Sequence, residues 1–447
     1  MKKWLAGILI GVMAMSMLMT GCGEKVPGDT PEEGSAPVKQ TEKDASEQVE
    51  LRLMWWGSQN RHDRTLEVTD KFREKYPNIM IEPEFSGWDG YWEKIAAQAA
   101  ANNLPDIFQQ DYAYLKQYAE KGLLAGLNDY VESKQLDLTD ASENSISGGK
   151  INGNLYGVNL GTNSLTVAYD PALFQSAGVP QPQPGWTWED YMETVRKLHQ
   201  ALGIYGDGSI PGNYFHGLKH YVRQHGFTFY NAEGSKLGYE DDQLFVNFFK
   251  RELDLVREGV LPKPDVRLEI KSVENELIVE GKAAMSQVHS NQLVAMVKAA
   301  DRPLSLAMIP SLKGEKKPGH YLKPSMFFSV AKSSKNVSEA VQFINYFTND
   351  VEANKVLMAE RGVPISSKVR EALEPSLSDV QKTIFEYINL VIENSSPIDP
   401  PDPAGHSEVD KLLDNIQAEM LYEKITLEEG AEKFRTRANQ ILEKNKK

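Results

Sequence analysis

The chain has 447 residues, more than one compact core usually organises, so two lobes are the starting expectation. Hydrophobic residues make up 41% and charged residues 25%, the proportions of a soluble globular protein. A formal net charge of -14 argues against a nucleic-acid binder, which needs a basic surface to meet phosphate, and a single cysteine excludes an intramolecular disulfide.

In chain order, Met1-Lys2-Lys3 is a short positive start, and Trp4 to Met19 is an uncharged apolar run too short to span a bilayer. Leu18-Met19-Thr20-Gly21-Cys22 resembles a bacterial lipobox, in which the thiol is acylated and the chain is cut before it; Met19 holds the slot where Leu is usual. The reading is a signal peptide over residues 1–21 and a lipidated Cys22 that holds the protein to a membrane without spanning it. Residues 22–48 carry almost no large apolar side chain and read as a flexible tether.

The body opens with an alternating strand from Val49 to Gly57. An amphipathic helix follows over Thr65 to Tyr76, ended by Pro77, then a strand over Ile79 to Phe85. A helix over Tyr91 to Asn102 and a strand over Asp106 to Gln110 complete a rhythm that predicts a parallel α/β sheet. Leu155 to Tyr169 is extended and broken at Gly157 and Gly161. Asp170-Pro171 and Thr187 with Asp190 are helix starts. Helices are predicted over Gln243 to Glu258, Val273 to Gly281, Glu339 to Thr348, Val351 to Arg361 and, as a pair, Ser407 to Lys447. Lys282 to Gln287, Leu304 to Pro310 and Tyr321 to Ala331 read as extended, and Pro397 to Pro403 as a proline-rich crossing.

Catalytic signatures are missing: no Gly-x-Ser-x-Gly elbow, no His-Glu-x-x-His, no Cys-x-x-Cys and no phosphate-binding glycine loop. No cofactor and no metal are expected. Glycosidase chemistry needs only two carboxylates and leaves no short motif, so a surface carbohydrate-active enzyme stays open as a rival reading, as does a ligand-sensing lipoprotein. What remains is aromatic and polar residues at strand ends, where open α/β sheets bind ligands. Trp55-Trp56, Ser86-Gly87-Trp88-Asp89 and Asp111-Tyr112 lie at such ends. Aromatic faces stack on a pyranose while Asp, Asn and Arg pair its hydroxyls.

The lipobox and tether, Trp55-Trp56-Gly57, Leu104-Pro105-Asp106-Ile107, Tyr169-Asp170-Pro171-Ala172-Leu173-Phe174, Trp186-Thr187-Trp188-Glu189-Asp190-Tyr191 and Arg361-Gly362-Val363-Pro364 resemble family 1 extracellular solute-binding proteins of ABC sugar importers. Arg61-His62-Asp63, Trp88-Asp89 with Tyr91-Trp92, Lys323-Pro324-Ser325-Met326 and Asp399-Pro400-Pro401 are similar to the YesO-type subfamily of rhamnogalacturonan-oligosaccharide uptake. The resemblance implies an α/β two-lobed periplasmic-binding-protein fold of type II, a flytrap with several hinge crossings. Lobe 1 would hold 49–161 and 322–368, and lobe 2 would hold 165–318 and 370–447. It further implies a non-catalytic monomer on the extracytoplasmic face of a cell membrane, delivering an oligosaccharide to ABC permease subunits. The ligand-binding candidates are Trp55, Trp56, Arg61, Trp88 and Asp111 from lobe 1. Asn163, Lys323 and Ser325 come from the hinge strands. Tyr214, His216 and Asn291 come from lobe-2 loops. Arg61 and Lys323 would pair with uronates, if the sugar carries them.

Overall fold

The computed structural model describes residues 48–446 apart from Ser58, Asp89, residues 210–212 and residue 271. The expected signal peptide, Cys22 and nearly all of the tether lie outside the described residues.

Twelve strands are present in the described chain: β1 Val49–Trp56, β2 Ile79–Ser86, β3 Ile107–Gln110, β4 Lys150–Ile151, β5 Asn154–Leu155, β6 Val158–Asn159, β7 Thr162–Asn163, β8 Leu165–Tyr169, β9 Met285–His289, β10 Ser305–Ala307, β11 Lys323–Pro324 and β12 Phe327–Val330. Five form one sheet in the order β2-β1-β3-β12-β6, with β1, β2 and β3 parallel and β12 antiparallel to β3. Three form a second, antiparallel sheet in the order β10-β8-β9.

Strand alternation explains why both sheets are packed on both faces. In β1, Leu51, Leu53 and Trp55 face a core shared with Val68 and Phe72 of the helix Gln59–Lys75 and with Phe343 and Phe347 of the helix Val337–Asn349. Met54 and Trp56 face the other way, onto Tyr91, Ile95, Phe108 and Leu115. In β8, Leu165 and Val167 join the helices Trp188–Leu202, Gln243–Arg257 and Leu427–Asn445, while Ala168 joins the helices Leu293–Ala300 and Asp379–Glu393. Each sheet thus has its own pair of cores.

The Asp170 and Thr187 helix starts form as expected. Asp170 accepts from the N–H groups of Ala172 and Leu173, and Thr187 with Asp190 makes a reciprocal capping box. Residues 273–281 do not form the predicted helix. Only a 3-10 turn, Val273–Asn275, appears, because Glu276 turns inward to accept the Ser286 hydroxyl and so leaves the solvent face that a helix would give it. Conversely, Tyr214 and His216 do not sit in a loop. They lie in the helix Asn213–Gln224, which His216-Gly217 hides from propensity and which Leu218, Tyr221 and Val222 pin to the core. Asn291 lies in the 3-10 turn Ser290–Gln292.

Candidate functional site

Three chain segments converge on Thr162. Strand β7 pairs with β11, matching Asn163 with Lys323, and Thr162 also exchanges backbone hydrogen bonds of 2.8 and 3.2 Å with Val363. These are the passages that connect the residues of one sheet to those of the other. Gly161 has no room for a Cβ, which would strike the Arg361 carbonyl. The Ser325 hydroxyl is held between the carbonyls of Gly161 and Arg361, so it secures the ribbon and is not turned to the cleft as expected.

Next to this ribbon lies a run of polar groups. Lys323 is exposed, and among the described residues no carboxylate pairs with it. The His216 and His289 rings meet edge to face with centroids 5.0 Å apart. Burial, His289, Lys219 and Lys323 push His216 down to about 3, and burial and Lys323 push His289 down to about 4, so both rings are neutral at neutral pH. Lys219 pairs with Asp402 at 2.8 Å; burial opposes both charges, but their attraction outweighs it, holding the carboxyl low and the ammonium high.

Asp399 and Asp402 sit on the proline-rich segment that links the helices Asp379–Glu393 and His406–Leu421. This strap is tied to the second sheet's body through the buried Arg223–Asp399 pair, whose guanidinium also covers the Tyr321 ring at 4.9 Å. It is tied to the first through the Tyr112 hydroxyl, which donates to the Asp399 carbonyl, and through Asn144, which donates to the Ser395 carbonyl at 3.0 Å. Beside the strap, a cavity of about 490 Å³ opens between the helix Tyr112–Glu120 and Lys219, Asn231 and Asp402.

Along the sheet edge the candidates separate. Trp88 is 48% exposed and Trp56 lies beneath it, ring edge to face at 5.1 Å. Trp92 and Tyr91 complete the cluster. Trp55 is 0% exposed, with its indole N–H donating to His62 Nδ1 at 3.1 Å; alternation turns it into the core and not into the cleft. Arg61 is not available to a uronate, because Glu360 takes its Nε at 2.8 Å and the Trp56 carbonyl takes its Nη1. Asp111, expected to face the ligand, caps the helix Tyr112–Glu120 by accepting from the Ala113 N–H at 2.9 Å. Asn163, His216, His289 and Lys323 are brought together, and Asn291 is exposed in the turn that follows His289. The Tyr214 side chain lies outside the described residues.

Sequence reasoning placed Tyr112 at a strand end without choosing it as a site residue, and missed Lys219, Asp402 and Gln110. Tyr112, Lys219 and Asp402 are distant in sequence and meet only through the strap. Gln110 carried a usable signal: a polar residue at the end of a buried strand, beside the aromatic cluster, whose amide atoms find no partner. Asn163 Oδ1 and the Trp92 indole N–H are also without partners. The arrangement offers aromatic faces, neutral donors and acceptors, and, at the ribbon, the exposed cation of Lys323. Among the described residues no group of His, Cys, Asp or Glu could hold a metal ion, and no helix is long and apolar enough to cross a membrane.

This combination of two covered sheets, several crossings and a polar cleft defines a two-lobed α/β binding protein. The profile of the bacterial extracellular solute-binding protein family matches residues 67–383, and the chain belongs to that family. A family 1 extracellular solute-binding protein from Alicyclobacillus acidocaldarius is 32% identical, with a TM-score of 0.82 over 90% of this chain and 100% of that one. An oligogalacturonide-binding protein from Yersinia enterocolitica is 23% identical, with a TM-score of 0.77 over 89% and 100% of the two chains. A designed cysteine esterase shares the fold at 23% identity and a TM-score of 0.80, over 90% of this chain and 99% of that one. An uncharacterised ABC transporter extracellular-binding protein from Pyrococcus horikoshii is 24% identical over 207 residues, and the match spans 44% of each chain.

Proposed function

We propose that this protein captures an acidic oligosaccharide, a pectin fragment of rhamnogalacturonan type, and delivers it without catalysis to the permease of an ABC importer. The observation that carries the reading is Lys323. It is an exposed lysine on the crossing ribbon, flanked by two neutral histidines and lacking a carboxylate of its own. An ammonium with no carboxylate of its own suits one carboxylate of the ligand, and imidazoles that stay neutral suit hydroxyls. The oligogalacturonide ligand of the Yersinia protein supports the choice of a uronate. Lobe 1, residues 49–161 and 322–368, and lobe 2, residues 165–318 and 370–447, would close about the ribbon. Ligand touching both lobes shifts the equilibrium toward the closed form. Cys22 would carry the lipid, tethering the monomer on the outer face.

The test is thermal unfolding of the mature chain with acidic and neutral oligosaccharides. A ligand at a hundred times its Kd adds about 2.7 kcal/mol of stability. The expected outcome is a shift with uronate-containing sugars that Lys323→Gln removes, and no shorter product after long incubation. No shift with any sugar, or release of product, refutes the reading. Cys22→Ser is expected to free the protein from membranes; unchanged retention counts against the anchor.

A further inference from the structure

The topology fixes which groups share the cleft edge. Strands β1, β2 and β3 are parallel, so Trp56, the loop carrying Trp88, and Gln110 all lie at their carboxyl ends. Strand β12 runs antiparallel to β3 and pairs Phe327 with Gln110, so its start, and the ribbon residue Lys323 just before it, reach the same edge. The sheet order β2-β1-β3-β12 then sets the spacing. Trp88 follows β2 and Lys323 precedes β12, three strand spacings apart, or ~14 Å at about 4.8 Å each. That distance exceeds one pyranose ring.

The two ends differ in chemistry. At the ribbon stand a lysine without a carboxylate and the Asn163 Oδ1 without a donor. At the far end stands the half-exposed Trp88, seated on Trp56 and Trp92. Between them Gln110 is 0% exposed, lies on the same sheet face as Trp56 by strand alternation, and leaves both its amide oxygen and nitrogen unpartnered. A buried amide in that state lowers stability until something pairs with it. A sugar offers both a hydroxyl donor and a hydroxyl acceptor, which an apolar or purely anionic ligand does not.

We propose that the ligand lies along this edge in one orientation, with its carboxylate at Lys323 and an uncharged pyranose stacked on Trp88, Gln110 pairing the hydroxyls between them. This rests on the sugar-binding function proposed above and adds to it a direction and a minimum length of two rings.

The test uses the mature chain with three probes: a rhamnosyl-galacturonate disaccharide, digalacturonate and galactobiose. Trp88→Ala is expected to weaken rhamnosyl-galacturonate and galactobiose equally, by about tenfold. Lys323→Gln is expected to weaken the two acidic probes and leave galactobiose within about twofold, a residual set by hydrogen bonds alone. Gln110→Leu is expected to raise the melting temperature of the free protein while weakening all three probes. Unchanged binding in Trp88→Ala or in Gln110→Leu, or equal losses for acidic and neutral probes in Lys323→Gln, overturns the orientation and leaves sugar binding intact. Failure of all three probes to bind the parent chain overturns both readings.

Discussion

Both sheets are covered on both faces, yet the bodies around them treat charge differently. Around the five-stranded sheet the cores are mainly aliphatic and aromatic, with the guanidinium of Arg361 buried against Gln109, Thr65 and the Phe347 ring, and at the strand ends Gln110 and the Trp92 indole lack partners. Around the three-stranded sheet, charge is folded inside. Glu252 meets Arg267 at 2.5 Å and Gln417 at 2.8 Å, Tyr191 donates to Asp207 at 2.9 Å, and Arg302 holds Asp170 at 2.8 Å. A cavity of about 60 Å³ beside Asp207, Glu252 and Arg267 has room for more than one water. The difference separates two uses of polar residues. Inside the second body most of them are matched to each other, Glu276 Oε1 being an exception. At the edge of the first they are unmatched and wait for a partner from outside.

The sharpest way to break this comparison is Arg267→Met. Burial already pushes the Glu252 carboxyl up and the Arg267 guanidinium down, so the pair survives on contact geometry and not on solvation. Removing the cation leaves a buried carboxyl with Gln417 alone. The expected loss is roughly 3–5 kcal/mol in urea unfolding, growing as pH rises and the carboxyl ionises. A loss below about 1 kcal/mol would mean the interior charges are incidental, as for an exposed pair. Trp55→Ala is the counterpart in the first body. The indole is fully enclosed against Phe85 and His62, and its removal is expected to cost about 3–5 kcal/mol, less than or equal to the arginine change because no charge is stranded. Loss of sugar affinity with little loss of stability would instead return Trp55 to the binding site.

Trp55 also shows what could be read in the sequence and what could not. Alternation placed Trp55 and Trp56 on opposite faces, but both faces are covered, so neither ring is the exposed one; that ring is Trp88, in the loop after β2. The strand–helix order and the caps at Asp170 and Thr187 were legible because they are local. The helix Asn213–Gln224 was not, since its glycine and histidine mask a pattern that packing enforces. Nor was the fate of Arg61, whose partner Glu360 lies 299 positions away. Lys323 pairs with Asn163 in the ribbon, while the strap's carboxylates, remote in sequence, are taken by Lys219 and Arg223.

A third, smaller effect uses pH. Burial raises the Glu276 carboxyl from 4.5 to about 7, against the Ser286 hydroxyl that donates to it. A folded pKa above the unfolded one gives stability that is fully present below about 4.5 and lost as pH climbs through 7. Glu276→Gln is therefore expected to flatten the fall in unfolding free energy between pH 5 and pH 8 by at most about 3 kcal/mol. The buried neutral histidines act at the other end, below their unfolded value of 6.5, and are common to both proteins. A parallel pair of curves would show that Glu276 ionises as freely as an exposed residue.

The smallest effect lies where the two bodies meet. The Tyr112 hydroxyl is one of the first body's two handles on the strap, the other being Asn144, and its removal in Tyr112→Phe deletes one hydrogen bond to a carbonyl, about 1 kcal/mol. Because that bond joins groups on different bodies, its loss is not expected to fall on the unfolding free energy of either core. It is expected to fall on closure, as a several-fold faster ligand release with an unchanged association rate. If instead the variant unfolds more easily and releases sugar at the parent rate, the strap is part of the second body's frame alone. In that case the boundary between matched and waiting polar groups runs through Tyr112 and not through Asp399.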